Sequence, residues 1–269
     1  MVKRLVFLAI LWYNIIVLRK EIYMTNILNI LKEQKDSKLK GNLYHITQIL
    51  FAYNTNHIEG STLTEEQTRY IYETNTLITD TSNLTTNIDD IIETSNHFKL
   101  VDYMLDNANN VLTEDLIKKF HKILKTGTSY ERLSWFNIGE YKKLTNEVNG
   151  NVTSKPEDVE KDMKALLKWY NSIENVKLED IIKFHSQFEK IHPFQDGNGR
   201  VGRIIMFKEC LRNNIVPFII LDKDKLFYYR GLNEYQNNRE KGYLIDTCLN
   251  AQDQYKLLIT KYLNVQFEE

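Results

Sequence analysis

A mainly α-helical fold is what this sequence predicts, and three observations predict it. Only three prolines and ten glycines punctuate 269 residues, too few for a turn-dense all-β chain. Apolar residues recur at helical spacing over most of the length. Alternation of the kind a strand needs is confined to one short stretch near residue 146. With 42% hydrophobic residues the chain has enough apolar material for a substantial core and is no candidate for global disorder.

The elements follow in order. Residues 5–18 (LVFLAILWYNIIVL) form an almost unbroken apolar run flanked by Lys3-Arg4 and Arg19-Lys20. As a helix it would rise about 21 Å, short of a hydrocarbon layer of roughly 30 Å. Arg19-Lys20-Glu21 makes a poor cleavage site for a signal peptide. Three readings remain for residues 1–23: an apolar helix docked on the domain, a translated extension upstream of Met24, or a membrane-associating helix. Ile27, Leu28, Ile30 and Leu31 then open an ordinary amphipathic helix, and Leu43 to Phe51 continues at helical spacing. Ser61 to Glu66 reads as a helix start with acidic residues in its first turn. Thr74 to Asn87 reads as a loop, and Asp89–Leu105 and Leu116–Lys125 as helices. Gly139 to Pro156 holds the one alternating stretch, Leu144 to Val148, and reads as a hairpin between helices with Pro156 as a stop. Glu157–Tyr170 and Leu178–Ile191 are the next helices, with Val159, Met163, Leu166 and Leu167, then Ile181, Ile182, Phe184, Phe188 and Ile191, turned inward. Asp222 to Lys225 reads as a solvated loop.

Charge and cysteine content exclude other classes. Thirty-five basic against 36 acidic residues supply no electrostatic case for nucleic-acid binding. Cys210 and Cys248 form no metal-ligand spacing, so buried free thiols in a reducing, cytoplasmic setting are expected.

The chemistry concentrates in His192-Pro193-Phe194-Gln195-Asp196-Gly197-Asn198-Gly199-Arg200-Val201-Gly202-Arg203. One of three prolines and three of ten glycines fall in these twelve residues. Pro193 cannot continue the preceding helix, so His192 is left at its C-terminal end. Gly197 and Gly199 bare backbone N–H groups for an anion, and Ile204, Ile205, Phe207, Cys210 and Leu211 place them at the N-terminus of a new helix with one apolar face. Arg200 and Arg203, three apart, can clamp a polyphosphate. Asp196 offers a hard oxygen to Mg²⁺, and His192 can take a proton from an attacking hydroxyl. Each residue alone has a plainer explanation, Asp196 as a helix cap or Gly197-Asn198-Gly199 as a turn. Together they make a phosphoryl- or nucleotidyl-transfer site.

This string matches HPFxDGNGRxxR, the signature of the Fic (Fic/Doc, or Fido) family, at every fixed position, and the surroundings resemble that family from about Leu112 to Leu249. The resemblance implies a Fic-type helical bundle with a small β-hairpin flap over the active site. It divides the chain into the extension 1–23, an N-terminal helical region 24–111, a core 112–249 and a C-terminal helix 250–269. It implies AMP transfer from ATP, with Mg²⁺, to a Ser, Thr or Tyr hydroxyl of a target protein. By resemblance His192 is the general base and Asp196 the Mg²⁺ ligand. Gly197, Asn198 and Gly199 form the anion hole, with Asn198 giving its side-chain amide; Val201 and Gly202 continue the nucleotide-binding segment, and Arg200 and Arg203 hold the β- and γ-phosphates. Leu144, Thr145, Asn146, Glu147 and Val148 resemble the flap that pairs with the target backbone. Gly139-Glu140-Tyr141-Lys142 resembles a family Gly-x-Tyr-Arg segment, with a lysine that cannot make a bidentate contact. Tyr228, Tyr229 and Asn237 are candidates for the adenine pocket, with packing the plainer role for at least one tyrosine. Thr55-Asn56-His57-Ile58-Glu59-Gly60 fits the family's inhibitory pattern [Ser/Thr]xxxE[Gly/Asn] and precedes the core. A Glu59 carboxylate beside Arg203 would compete with the γ-phosphate. Other donors, removal of AMP, and a non-catalytic nucleotide-sensing module are the alternatives. Auto-modification and a homodimer are further expectations that the resemblance raises.

Overall fold

In a computed structural model of the chain, residues 27–78, 85–148, 151–265 and 267 are described. The expectations for residues 1–23, and for part of the 74–87 loop, lie outside them. Residues 27–37 are helical (α1). There follow α2 (Leu43–Ile58), α3 (Glu65–Thr74), α4 (Ile88–Asp106) and α5 (Glu114–Lys125). A two-residue pair, β1 (Glu147–Val148) and β2 (Asn151–Val152), precedes α6 (Pro156–Asn171) and α7 (Leu178–Ile191). The remaining helices are α8 (Asn198–Arg212), α9 (Lys225–Gln236) and α10 (Gly242–Leu263). The expected boundary between 249 and 250 falls inside α10, which runs through it unbroken.

Local chemistry sets the helix starts. Asn42, Thr64, Asn87 and Thr113 each accept a first-turn backbone N–H, and Thr64 completes a capping box with Gln67. Glu65 and Glu66 lie in the first turn of α3, and Glu114 and Asp115 in that of α5, where the helix dipole favours them. Pro156 is not a stop. It is the first residue of α6, where its missing N–H costs no hydrogen bond.

The helix α8 is the axis of the molecule. All of Asn198 to Leu211 is buried, so the single apolar face expected for it is replaced by burial all round. It packs against α2, α4, α5 and α7. Phe207 meets Phe51 of α2 at 5.2 Å and the edge of Tyr255 of α10 at 5.6 Å between ring centroids. The inward residues expected on α6 and α7 are all buried, and so are both free cysteines. Between β1 and β2 the register pairs Glu147 with Val152 and Val148 with Asn151, antiparallel. Leu144, Thr145 and Asn146 stand before the ladder rather than in it.

The α9–α10 contact depends on a missing side chain. A Cβ on Gly231 would lie 2.8 Å from the Cα and N of Leu244, which are backbone atoms and cannot step aside. Gly231→Ala is therefore expected to destabilise the fold by about 2 kcal/mol through overpacking, read as a lower urea midpoint with an unchanged slope.

Candidate active site

The end of α7 and the start of α8 place the expected residues around one loop. His192 closes α7 in the left-handed region (φ 52°, ψ 61°), its N–H donating to the Phe188 carbonyl at 2.9 Å. Gly197, with φ 81°, is the N-cap of α8 and provides no side-chain cap, which leaves the first N–H groups of α8 to an outside anion. The loop is held by groups aimed at its backbone. The Asn198 amide accepts from the Phe194 N–H and donates to the Phe194 carbonyl, both at 2.8 Å. Oδ1 and one of the two Nδ2 hydrogens are thus committed, so Asn198 braces the loop. His121 stacks flat on Phe194, with centroids 4.0 Å apart. Its Nδ1 accepts from the Gly139 N–H (2.9 Å), which leaves Nε2–H to donate to the Asp196 carbonyl (3.1 Å).

His192 is largely buried and its Nδ1 faces the Glu189 carbonyl at 3.3 Å. A carbonyl can only accept, so Nδ1 carries the proton and Nε2 keeps its lone pair. Burial, and then the Lys142 ammonium, push the imidazole pKa down to about 4, against the pull of the Glu189 carbonyl, Glu59 and Asp196. The ring is neutral at physiological pH, the form a base needs. Beneath it, Glu189 is buried with no partner for Oε1, and burial plus the Glu59 charge raise its carboxyl to about 8.

The two arginines diverge. Arg203, 2% exposed, is claimed by α2: Nε donates to Thr55 Oγ1 (2.7 Å), and Nη2 to the Thr55 carbonyl (3.1 Å) and Glu59 Oε1 (2.6 Å). Glu59 ends α2. Gly60 follows at φ 99°, with Gly60 N–H on the His57 carbonyl (3.1 Å) and Ser61 N–H on the Asn56 carbonyl (3.0 Å). That is a Schellman motif, and it explains why glycine follows the glutamate. The carboxylate also lies on the cradle: a Cβ on Gly199 would sit 2.1 Å from Glu59 Oε1. Arg200 turns instead to Glu93 of α4, in close contact, and to Asp196 Oδ2 (3.2 Å), so the two guanidiniums do not form one clamp in this arrangement.

Asp196 is held by Lys125, whose Nζ lies 2.6 Å from Oδ2. Burial would raise its pKa, but Arg200 and Lys125 outweigh burial and hold the carboxyl well below the usual carboxylate range. Both cations contact the same oxygen, Oδ2. An ionised carboxylate, about a third exposed, suits a cation that brings its remaining ligands with it. Among the described residues no group of three acidic, histidine or cysteine side chains could hold a metal alone.

Glu93, Lys125 and His121 were not singled out by the sequence. A signal exists for two: His121 and Lys125, four apart, share the face of α5 that carries Ile117, Phe120 and Leu124, and a lysine there is anomalous. Glu93 gives none. Tyr228 is buried and bonded to His185 (2.6 Å), a packing role. Tyr229 is half-buried, its hydroxyl donating to the Ile58 carbonyl (3.0 Å). Asn237 is the exposed C-cap of α9 and bonds back to Asn233, so the spacing does not bring it to the loop's contacts. Asp222 is no solvated loop residue: it pairs with His57 Nδ1 (2.9 Å), and its N–H donates to Asn54 Oδ1 (2.8 Å), docking the turn on α2. Val201 and Gly202 are buried in α8, facing its packing.

Lys142 reaches the hairpin. Buried, it donates to Asn146 Oδ1 (2.6 Å), Thr153 Oγ1 (2.7 Å) and the Ile191 carbonyl (3.4 Å), work suited to an ammonium with three donors. Asn146 Nδ2 donates to the Phe194 carbonyl (3.1 Å) and Leu144 N–H to Gln195 Oε1 (3.2 Å). The hairpin is fastened to the loop at its base.

Comparison with known proteins gives the family and the fold neighbours. The Fic/DOC family model matches residues 111–210. The chain carries a Fic/DOC domain. It is 30% identical over 187 residues to a "Protein adenylyltransferase Fic" of Nematostella vectensis, an alignment covering 68% of this chain and 42% of that protein. It is 28% identical over 186 residues to one of Drosophila ananassae, covering 67% and 35%. The chain thus spans less than half the length of these curated relatives. Its fold resembles a Fic domain containing signaling protein from Bacteroides thetaiotaomicron (TM-score 0.72, 22% identity, 93% of this chain and 98% of that one). It also resembles Fic-1 of C. elegans (TM-score 0.65, 20% identity, 93% and 75%).

The depressed His192 pKa can be read directly. NMR titration of its imidazole should give a value near 4, and Lys142→Met should move it part of the way toward 6.5, because burial remains. His97, His121 and His185 are pushed to about 3, chiefly by burial. The unfolded chain takes up protons near pH 6.5 that the folded chain refuses, so stability should fall as pH drops from about 6.5 toward 4. A His192 value near 6.5 in both proteins would contradict the buried, neutral imidazole.

Proposed function

We propose that this chain is a protein adenylyltransferase that moves AMP from ATP to a Ser, Thr or Tyr hydroxyl of a target protein, and that Glu59 holds it inactive. The observation that carries the reading is the Glu59 carboxylate on Arg203 and over Gly199. An anion already occupies the position where a buried guanidinium and a side-chain-free helix start would bind a phosphate.

The chain's residues have these roles in the reaction. His192 Nε2 accepts the hydroxyl proton while the hydroxyl oxygen attacks the α-phosphorus. The bond from that phosphorus to the bridging oxygen breaks, and pyrophosphate leaves. Gly197 and Gly199 direct backbone N–H groups to the phosphates, and Arg203 pairs with the terminal one once Glu59 has left it. Asp196 would hold the Mg²⁺ that accompanies ATP, whose charge offsets that building on the leaving pyrophosphate. The β1–β2 hairpin is a flap in this reading, offering its edge to an extended stretch of the target, with Lys142 and Asn146 fixing its height above His192. The core begins near residue 112 and runs on through α10, and α2 ahead of it is the inhibitory helix.

Labelling with α-³²P-ATP and Mg²⁺ tests the reading. Wild type should incorporate little label, Glu59→Gly should label itself or an added target at least about tenfold more, and Glu59→Gly/His192→Ala should return to background. Label from UTP or CTP alone would change the donor and keep the mechanism. ATP binding with no transfer by Glu59→Gly, across a panel of targets, would favour a nucleotide-sensing module.

A further inference from the structure

Four charged side chains close a ring under the loop. Glu93 Oε1 contacts Lys125 Nζ; Lys125 Nζ contacts Asp196 Oδ2 (2.6 Å); Asp196 Oδ2 contacts Arg200 Nη2 (3.2 Å); Arg200 Nη1 contacts Glu93 Oε2. The signs alternate and sum to zero. The members come from α4, α5, the loop and α8. Three are shut away from water, with side chains 0%, 5% and 10% exposed for Lys125, Arg200 and Glu93, whereas Asp196 is 38% exposed. Lys125 also lies 4.0 Å above the Tyr130 ring, and Arg200 Nη1 reaches Asn56 Oδ1 at 3.5 Å.

Asp196 is thus the one opening through which the ring meets a ligand. A cation arriving there feels the whole ring, because charges this close and this dry are weakly screened. Two cations on Oδ2 oppose a dication, while Glu93 partly cancels both of them. The anions of a bound polyphosphate would reverse that balance.

We infer that Lys125 and Glu93 are positioning residues with opposed electrostatic effects: Lys125 weakens, and Glu93 strengthens, divalent-cation binding at Asp196, so that the ion is held with nucleotide rather than alone. The inference rests on the reading of Asp196 as the ligand of the nucleotide-borne ion. It concerns what sets the affinity of that ligand, which the general mechanism leaves open.

The test is Mn²⁺ binding by the full chain, without nucleotide, followed at pH 8 by the electron paramagnetic resonance signal of free Mn²⁺. Lys125→Met gives the ring a net charge of about −1 and should tighten Mn²⁺ binding roughly tenfold. Glu93→Gln gives about +1 and should weaken it by a similar factor or abolish it. Each variant also breaks a buried pair, so thermal unfolding should come earlier for both. A merely structural role would shift metal binding the same way in both variants, or not at all, and either result overturns the inference. Asp196→Asn, alone and combined with Lys125→Met, should remove the binding. If Mn²⁺ still binds with Asp196→Asn, the ligand assignment itself is wrong, and the inference falls with it.

Discussion

A guanidinium buried to 2% exposure must have an anion, and for Arg203 that anion comes from another helix. This requirement organises the structure around it. Thr55 accepts from Nε and Nη2 of Arg203 and the Tyr228 hydroxyl from Nη1, the Schellman motif sets where α2 stops, and Gly199 leaves room for the carboxylate that results. His57, Ile58 and Asn54 then tie the same helix end to the Asp222 turn and Tyr229. Leaving Arg203 unpaired would cost several kcal/mol, so Glu59 leaves at low cost only when another anion takes its place. In the proposed function, activation is then an exchange of anions, with nucleotide affinity reduced by the fraction of molecules in which Glu59 is seated.

The parts of this arrangement that were legible in the sequence are those carried by backbone chemistry. Pro193 after His192, Gly197 and Gly199 before an apolar run, and Gly60 after Glu59 each dictate a local conformation, and local conformation is what spacing encodes. The helices of α6 and α7 were legible for the same reason, since their inner faces repeat at 3.6 residues. Pro156 shows the limit: a proline marks a helix boundary but not which side of it the helix occupies. The apolar run after Arg203 likewise told of a helix, yet not that four other helices would surround it.

Pairings between distant side chains left no such trace. Glu93 lies among polar residues at the start of α4 and looks like a solvated charge until α4 is laid on α8. Asn198 has the same identity whether or not its amide clasps the Phe194 backbone, and only the closed loop reveals that it does. Arg200 and Arg203 are one turn apart, but the anions that claim them stand on different helices, so adjacency in sequence did not become a shared ligand.

The loop's hydrogen bonds bear on the proposed Glu59 switch. Phe194 is held by the Asn198 amide and by Asn146, Asp196 by His121 and Lys125, and Pro193 by the Lys142 N–H at 2.8 Å. The Asn198 bond is buried and those from Asn146, His121 and Lys125 are part-buried, and an unmade partner in a buried bond costs about 1–3 kcal/mol. None of them involves Glu59. In the proposed function the cradle therefore does not have to form when the Glu59 carboxylate departs: its ordering was completed when the core folded, at a cost this network offset. A site assembled in advance and blocked by one side chain can respond to a small shift of the α2 terminus. A site that had to build its anion hole on demand would charge that ordering against every turnover.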